Sequence, residues 1–199
     1  MALIDSVTIA NLALSLVHTE GIESLSDEVT TEAVVANLWY DHARKEALEA
    51  FNWGFARRRQ TLAVHTVAAP TNEWVYRYQY PSDCIAARYL ENPAGSDADV
   101  VPFERENASD DTLSIVTDLD DAVLVYTRDA TNPALFTPHF IVTFATRLAY
   151  YMAGTLSNKK SMQADLLRQY GVWLATAGAL DVAQGVSRPP RDADFVRAR

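Results

Sequence analysis

The chain has 199 residues, 49% hydrophobic and 22% charged, enough apolar material for one good core and too little charge for global disorder. Its formal net charge of -9 is opposite in sign to that of a protein whose main task is neutralising phosphates. A single cysteine, Cys84, excludes an intrachain disulfide and a thiolate zinc site.

The opening MALIDSVTIANLALSLVH has an acid where a secretory signal has lysine or arginine. No apolar run approaches the roughly 20 residues of a membrane span, so a soluble chain without a membrane anchor is expected. Leu3, Val7, Ala10, Leu14 and Val17 fall on one helical stripe, with Asp5 as N-cap and Gly21 as the stop. A second helix follows the polar run Ser24 to Glu28. Its stripe is Ala36, Tyr40, Ala43, Ala47 and Phe51, and Asp41 and Lys45 stand on its outer face at ion-pair spacing. Asn52 and Gly54 end it.

The period then changes. FNWGFARRRQTLA, Phe51 to Ala63, sets three aromatics beside three consecutive arginines. Alternation from Gly54 places Phe55, Arg57 and Arg59 on one face and Ala56 and Arg58 on the other. Phe51, Trp53 and Phe55 read as core anchors at a helix-to-strand corner. Arg57, Arg58 and Arg59 are either solvated and paired with acids or a protein-binding cluster, since arginine suits bidentate carboxylate pairing and is enriched at interfaces.

Trp74, Tyr76, Tyr78 and Tyr80 alternate with Val75, Arg77 and Gln79, a strand with one aromatic face. Further strands are expected at Ile85 to Leu90, Val101 to Glu106, Thr112 to Thr117 and Ala122 to Arg128, with Glu91 to Asp99 as a loop. The last two strands read as a hairpin around Asp118-Leu119-Asp120-Asp121. Between Asp97 and Asp129 ten acids stand against two arginines, so Asp97, Asp99, Asp110, Asp111, Asp118, Asp120 and Asp121 define a candidate acidic surface or channel wall.

Helices return after Asn132-Pro133. Thr137 with Pro138 is a capping hydroxyl followed by proline in the first turn, and Ile141, Phe144, Leu148 and Tyr151 repeat on one face. A long helix is expected over about Lys159 to Gln184, with Gly171 and Gly178 allowing another backbone to approach closely. Ser187 to Arg199 is a proline-broken tail. The fold class expected is α+β: an antiparallel α-helical bundle from both ends of the chain, residues 1–54 and 133–186, with an antiparallel β-rich insertion at 55–132 and an extended tail at 187–199.

Motifs for catalysis or cofactors are missing. The glycines form no phosphate-cradling loop, and no serine sits in a nucleophile elbow. His18, His42, His65 and His139 lack the spacing of a helical metal site. Asp118, Asp120 and Asp121 start like a calcium loop, but Val123 holds the position that needs glycine. No catalytic residue, metal or cofactor is therefore expected.

The stretch Thr30 to Ala63 resembles the tail tubular protein A family, the head-to-tail adaptors of T7-like short-tailed bacteriophages. The similar features are a helix ending in an aromatic plus Asn52-Trp53, then Phe55-Ala56, then a basic strand leading to Leu62-Ala63. YRYQYPSDCI, Tyr76 to Ile85, and PHFIVTFATRLAYYMA, Pro138 to Ala153, match later family features in order and spacing. Asn52 departs from the proline many relatives carry there.

The resemblance implies a structural, non-enzymatic protein of the virion tail, assembled in the bacterial cytoplasm. It implies a ring, dodecameric in this family, between the portal protein and a tail nozzle of the tail tubular protein B type. Double-stranded DNA passes through such a ring without specific binding. On this reading Arg57, Arg58, Arg59, Arg188, Arg191 and Phe195 are candidate interface residues, the last three on the tail. Two other readings stay open: a tail-associated peptidoglycan hydrolase using a carboxylate pair, and a DNA-binding accessory protein using Arg57 to Arg59.

Overall fold

The computed structural model describes residues 4–26, 29–70, 73–93, 100–157 and 159–184. Among them are four α-helices and two three-stranded antiparallel sheets, so the class is mixed α+β. The chain divides into two compact units, a helical one built from 4–56 with 129–184 and a β unit over 57–128.

In the helical unit, α1 spans Ser6–Val17, α2 Thr31–Glu49, α3 Pro138–Leu156 and α4 Lys160–Ala183. Three of the four starts are capped by a side chain that satisfies an otherwise orphaned amide. Asp5 accepts from the Thr8 amide at 2.8 Å, Thr30 from Ala33 and Thr137 from Phe140. Helix α1 ends earlier than the glycine suggested: His18 takes the left-handed conformation, φ 64°, and its amide closes on the Leu14 and Ser15 carbonyls. Gly21 lies beyond, in a loop that Asn11 holds through the Ile22 amide and carbonyl.

Helix α3 is the centre of this unit, and α1, α2 and α4 all pack on it. Ala33, Ala36, Ala43 and Ala47 are fully buried on α2, as are Phe140, Phe144 and Leu148 on α3. The aromatics after α2 belong to this core. Trp53 is fully buried, donates from Nε1 to the Ala47 carbonyl at 2.8 Å and meets Phe140 edge to face. Phe55 packs on Phe136 and Phe140.

The outer-face ion pair expected within α2 is absent. Asp41 pairs instead with Arg44, and Lys45 reaches Asp129 at 3.9 Å. Arg44 itself is buried, bonding the Asp129 carboxylate and the Ala130 carbonyl. Asp129, 26% exposed against 77% for Asp41, is the less hydrated carboxylate and draws the cation more strongly.

In the β unit, β1 (Arg57–Thr61), β6 (Val123–Arg128) and β3 (Cys84–Leu90) form one sheet in the order β1-β6-β3. The other has the order β2-β5-β4, with β2 at Tyr76–Gln79, β5 at Leu113–Thr117 and β4 at Glu104–Asn107. Tyr78, Ile115, Leu124, Tyr126 and Leu62 are the centre of its core.

Two strand readings are corrected. The stretches around Asp118 to Asp121 are not paired as a hairpin. Strand β5 lies between β2 and β4, and β6 between β1 and β3, so each has both hydrogen-bonding edges taken in its own sheet. The turn, with Asp121 at φ 48°, carries the chain from one sheet to the other. The strand expected from Val101 begins only at Glu104: Val101 makes a single bridge to Leu90, and Pro102 has no amide to continue a ladder.

Candidate functional site

The arginine cluster forms β1, an edge strand in which all five residues are exposed. Only its inner edge is paired, with Arg57 opposite Thr127, Arg58 opposite Tyr126 and Arg59 opposite Val125. The Leu62 amide bonds the Ala122 carbonyl, so alternation directs the backbone groups of Arg58 and Gln60 to β6 and those of Arg57, Arg59 and Thr61 outward. Charged side chains on a short edge strand discourage indiscriminate pairing with other chains.

The three guanidinium groups differ. Arg58 donates to Asp83 Oδ2 at 2.7 Å, while the buried Tyr126 hydroxyl donates to Asp83 Oδ1 at 2.8 Å. Burial works to raise the Asp83 carboxyl, but the bonds from Tyr126 and Arg58 and the guanidinium charge outweigh it and hold the carboxyl below its usual range. Burial, then the bond to that carboxylate, pushes the Tyr126 hydroxyl up to about 12. Arg59 meets Glu91 at 2.9 Å. Arg57 makes no ion pair among the described residues. Two of the three arginines thus have acidic partners within their own unit, and one presents its charge outward.

The acids of the middle segment fall into two groups. Asp110 and Asp111 occupy the β4–β5 turn, and Asp118, Asp120 and Asp121 the β5–β6 connection. These lie at opposite ends of β5, roughly 17 Å apart for five residues of strand. All five are exposed. Several also shape their own turns: Asp110 accepts from the Thr112 amide and hydroxyl, and Asp118 from the Val75 amide. Asp97, Asp99, Arg188, Arg191 and Phe195 lie outside the described residues, as does the tail from Ser187.

One His-Thr-Asp chain has the look of a catalytic relay but the wrong polarity. The Val67 amide donates to His65 Nδ1 at 3.0 Å, which leaves the proton on Nε2. Nε2 then donates to Thr112 Oγ1 at 2.7 Å, and that hydroxyl donates onward to Asp110 at 2.6 Å. A base that activates a hydroxyl must accept its proton, whereas here the imidazole gives one. The arrangement fastens the segment after β1 to the β4–β5 turn. Among the described residues no group of three His, Cys, Asp or Glu is placed to hold a metal, and no helix is long and apolar enough to cross a membrane.

Sequence reasoning missed a polar cluster between α2 and α3. Arg147 forks onto Glu46, with Nε to Oε2 at 2.8 Å, and Tyr151 donates to the same carboxylate at 2.6 Å. Trp39 stacks on Tyr151, with ring centroids 4.7 Å apart and planes 8° from parallel, and the guanidinium lies over Tyr150, Tyr151 and Tyr170. The signal in the sequence was faint: Arg147 and Tyr151 share a helical face, but Glu46 is 101 positions away.

No protein-family profile matches the chain, and no curated protein matches it significantly.

Proposed function

We propose that the protein is a non-enzymatic assembly component of a bacteriophage tail, an adaptor of the tail tubular protein A type. It forms a ring, dodecameric by analogy, between the portal protein and the tail nozzle, and double-stranded DNA passes through the ring.

The stretch Thr30 to Ala63 carries this reading. Its family-like order of helix, buried tryptophan, turn and basic strand corresponds to α2, Trp53, a single 3-10 turn at Gly54–Ala56 and β1. The finer architecture proposed is an antiparallel bundle. It is supported by contacts of α2 and its extension with α3 that run in opposite directions: Trp53 with Phe140, Glu46 with Arg147 and Trp39 with Tyr151. The three residues between α3 and α4 suit a helical hairpin.

In this role β1 meets an acidic protein surface, with Arg57 as the first anchor because its charge is uncommitted among the described residues. The exposed acids of the two β turns keep DNA from adhering, since like charge disfavours phosphate contact. Mixing the purified protein with portal complexes and imaging the product tests the reading. A ring stacked on the portal is the expected result. Portals that remain bare at saturating protein would overturn it.

A further inference from the structure

Among the described residues, the helical unit leaves two long faces unpartnered, and they match each other. From Gln169 to Gln184 the only charged residue of α4 and its cap is Asp181, and that carboxylate is taken by the Gly54 amide at 2.8 Å. A solvent-facing helix normally carries charge on its outer face. Here that face offers Val172, which is 62% exposed, followed by the exposed Ala175 and Ala179. On α2 the matching feature is Leu38, 68% exposed, with Val34 one turn before it.

We infer that α4 of one copy of this chain packs antiparallel against α2 of a second copy along these faces. Read in opposite directions, the stripe Lys45, Asp41, Leu38, Val34 and the stripe Asp165, Arg168, Val172, Ala175 stay within one residue of each other over three helical intervals. Lys45 then faces Asp165, Asp41 faces Arg168, Leu38 faces Val172, and Val34 faces Ala175. Thr31 opposite Ala179 continues the match, making a seam about 21 Å long. Each of the first four pairs is apolar with apolar or opposite in charge, and all these residues are exposed. The charged pairs are available because Asp41 and Arg168 are 77% and 76% exposed and, among the described residues, form ion pairs only with neighbours on their own helices. The alanines give the knobs at Val34 and Leu38 a shallow groove to enter.

Two copies that each carry a charge of -9 repel, and these stripes let them meet with balanced charge. The seam joins two different faces, so every copy offers one of each, as a heterologous ring requires. The inference deepens the self-association in the proposed function but does not depend on a portal.

Disulfide trapping tests it. The double variant Leu38→Cys/Val172→Cys, oxidised at high protein concentration, is expected to give a ladder of linked species above the background set by Cys84. Neither single variant should give one, while a mixture of the two should give linked dimers. In parallel, Asp41→Arg should weaken self-association in sedimentation about three- to tenfold, and Asp41→Arg/Arg168→Asp should restore it. No ladder from a folded double variant, or equal ladders from the single variants, would overturn the seam. A ladder without portal docking sustains the seam and removes the adaptor role. Portal docking by a protein that never cross-links does the reverse.

Discussion

Removing the Arg44 guanidinium tests how the helical unit grips the returning chain. The side chain is 3% exposed, bonds the Asp129 carboxylate and donates to the Ala130 carbonyl at 2.9 Å. Arg44→Met keeps most of the apolar stem and deletes the charge. It leaves the Ala130 carbonyl without its donor, a loss of about 1–3 kcal/mol for a buried acceptor. It also takes the guanidinium from Asp129, but that carboxylate is 26% exposed, regains water and keeps Lys45 at 3.9 Å, so the full penalty of about 3–5 kcal/mol for a broken buried pair does not apply. The two effects together set the expected loss at about 2–3 kcal/mol. Urea unfolding followed by tryptophan fluorescence reads it, because Trp53 is buried in the same unit. Asp129→Asn should cost about 1 kcal/mol, and the double variant should cost less than the sum by about 1 kcal/mol. A loss under about 0.5 kcal/mol for Arg44→Met, or strict additivity, would refute the reasoning.

The two glycines of α4 should respond oppositely to alanine. A Cβ on Gly178 would stand 2.9 Å from Phe51 Cε2, whereas one on Gly171 meets nothing within 4 Å. Gly171→Ala should gain about 0.5–1 kcal/mol from helix propensity, and Gly178→Ala should lose about 1 kcal/mol to overpacking, both read by thermal unfolding. Trp53→Phe removes the Nε1 bond to the Ala47 carbonyl and should cost about 2 kcal/mol, measured by denaturant midpoint.

Acid should weaken both units. Burial raises the Glu46 carboxyl, but the bonds from Arg147 and Tyr151 and the guanidinium charge more than offset this, so it lies below its usual range, as Asp83 does. The unfolded chain therefore takes up protons first as pH falls. The stabilisation is full above the ordinary carboxylate values near pH ~4 and is lost as pH drops through the lower folded values. Glu46→Gln and Asp83→Asn should each flatten that acid limb, and an unchanged slope of stability against pH would count against both assignments.

Local rules in the sequence carried the helices. Thr137-Pro138 and the stripe Phe144, Leu148, Tyr151 were sufficient to place α3, because caps and a 3.6-residue period act within a few turns. The long helix expected near Lys159 to Gln184 corresponds to α4 at Lys160–Ala183. The aromatic anchors around Trp53 were equally readable, since three large rings beside Asn52 and Gly54 have nowhere to go but a core.

Tertiary structure alone decided the pairings. The alternation of residues 113–117 and 123–128 marks both as strands, but β5 and β6 belong to different sheets: β5 pairs with its neighbour β4 and with the remote β2, and β6 is held on both edges by the remote β1 and β3. Asp41 stands four residues from Lys45, yet the cation reaches Asp129; Arg58 and Arg59 look alike, yet Asp83 and Glu91 serve one each. Periodicity records which face of an element is apolar, and that is a property of the segment itself. Which remote edges meet, and which carboxylate Arg58 or Arg147 finds, depends on residues far apart in the chain, 25 positions for Arg58 with Asp83 and 101 for Arg147 with Glu46. Those distances are set only when the whole chain has closed around its core.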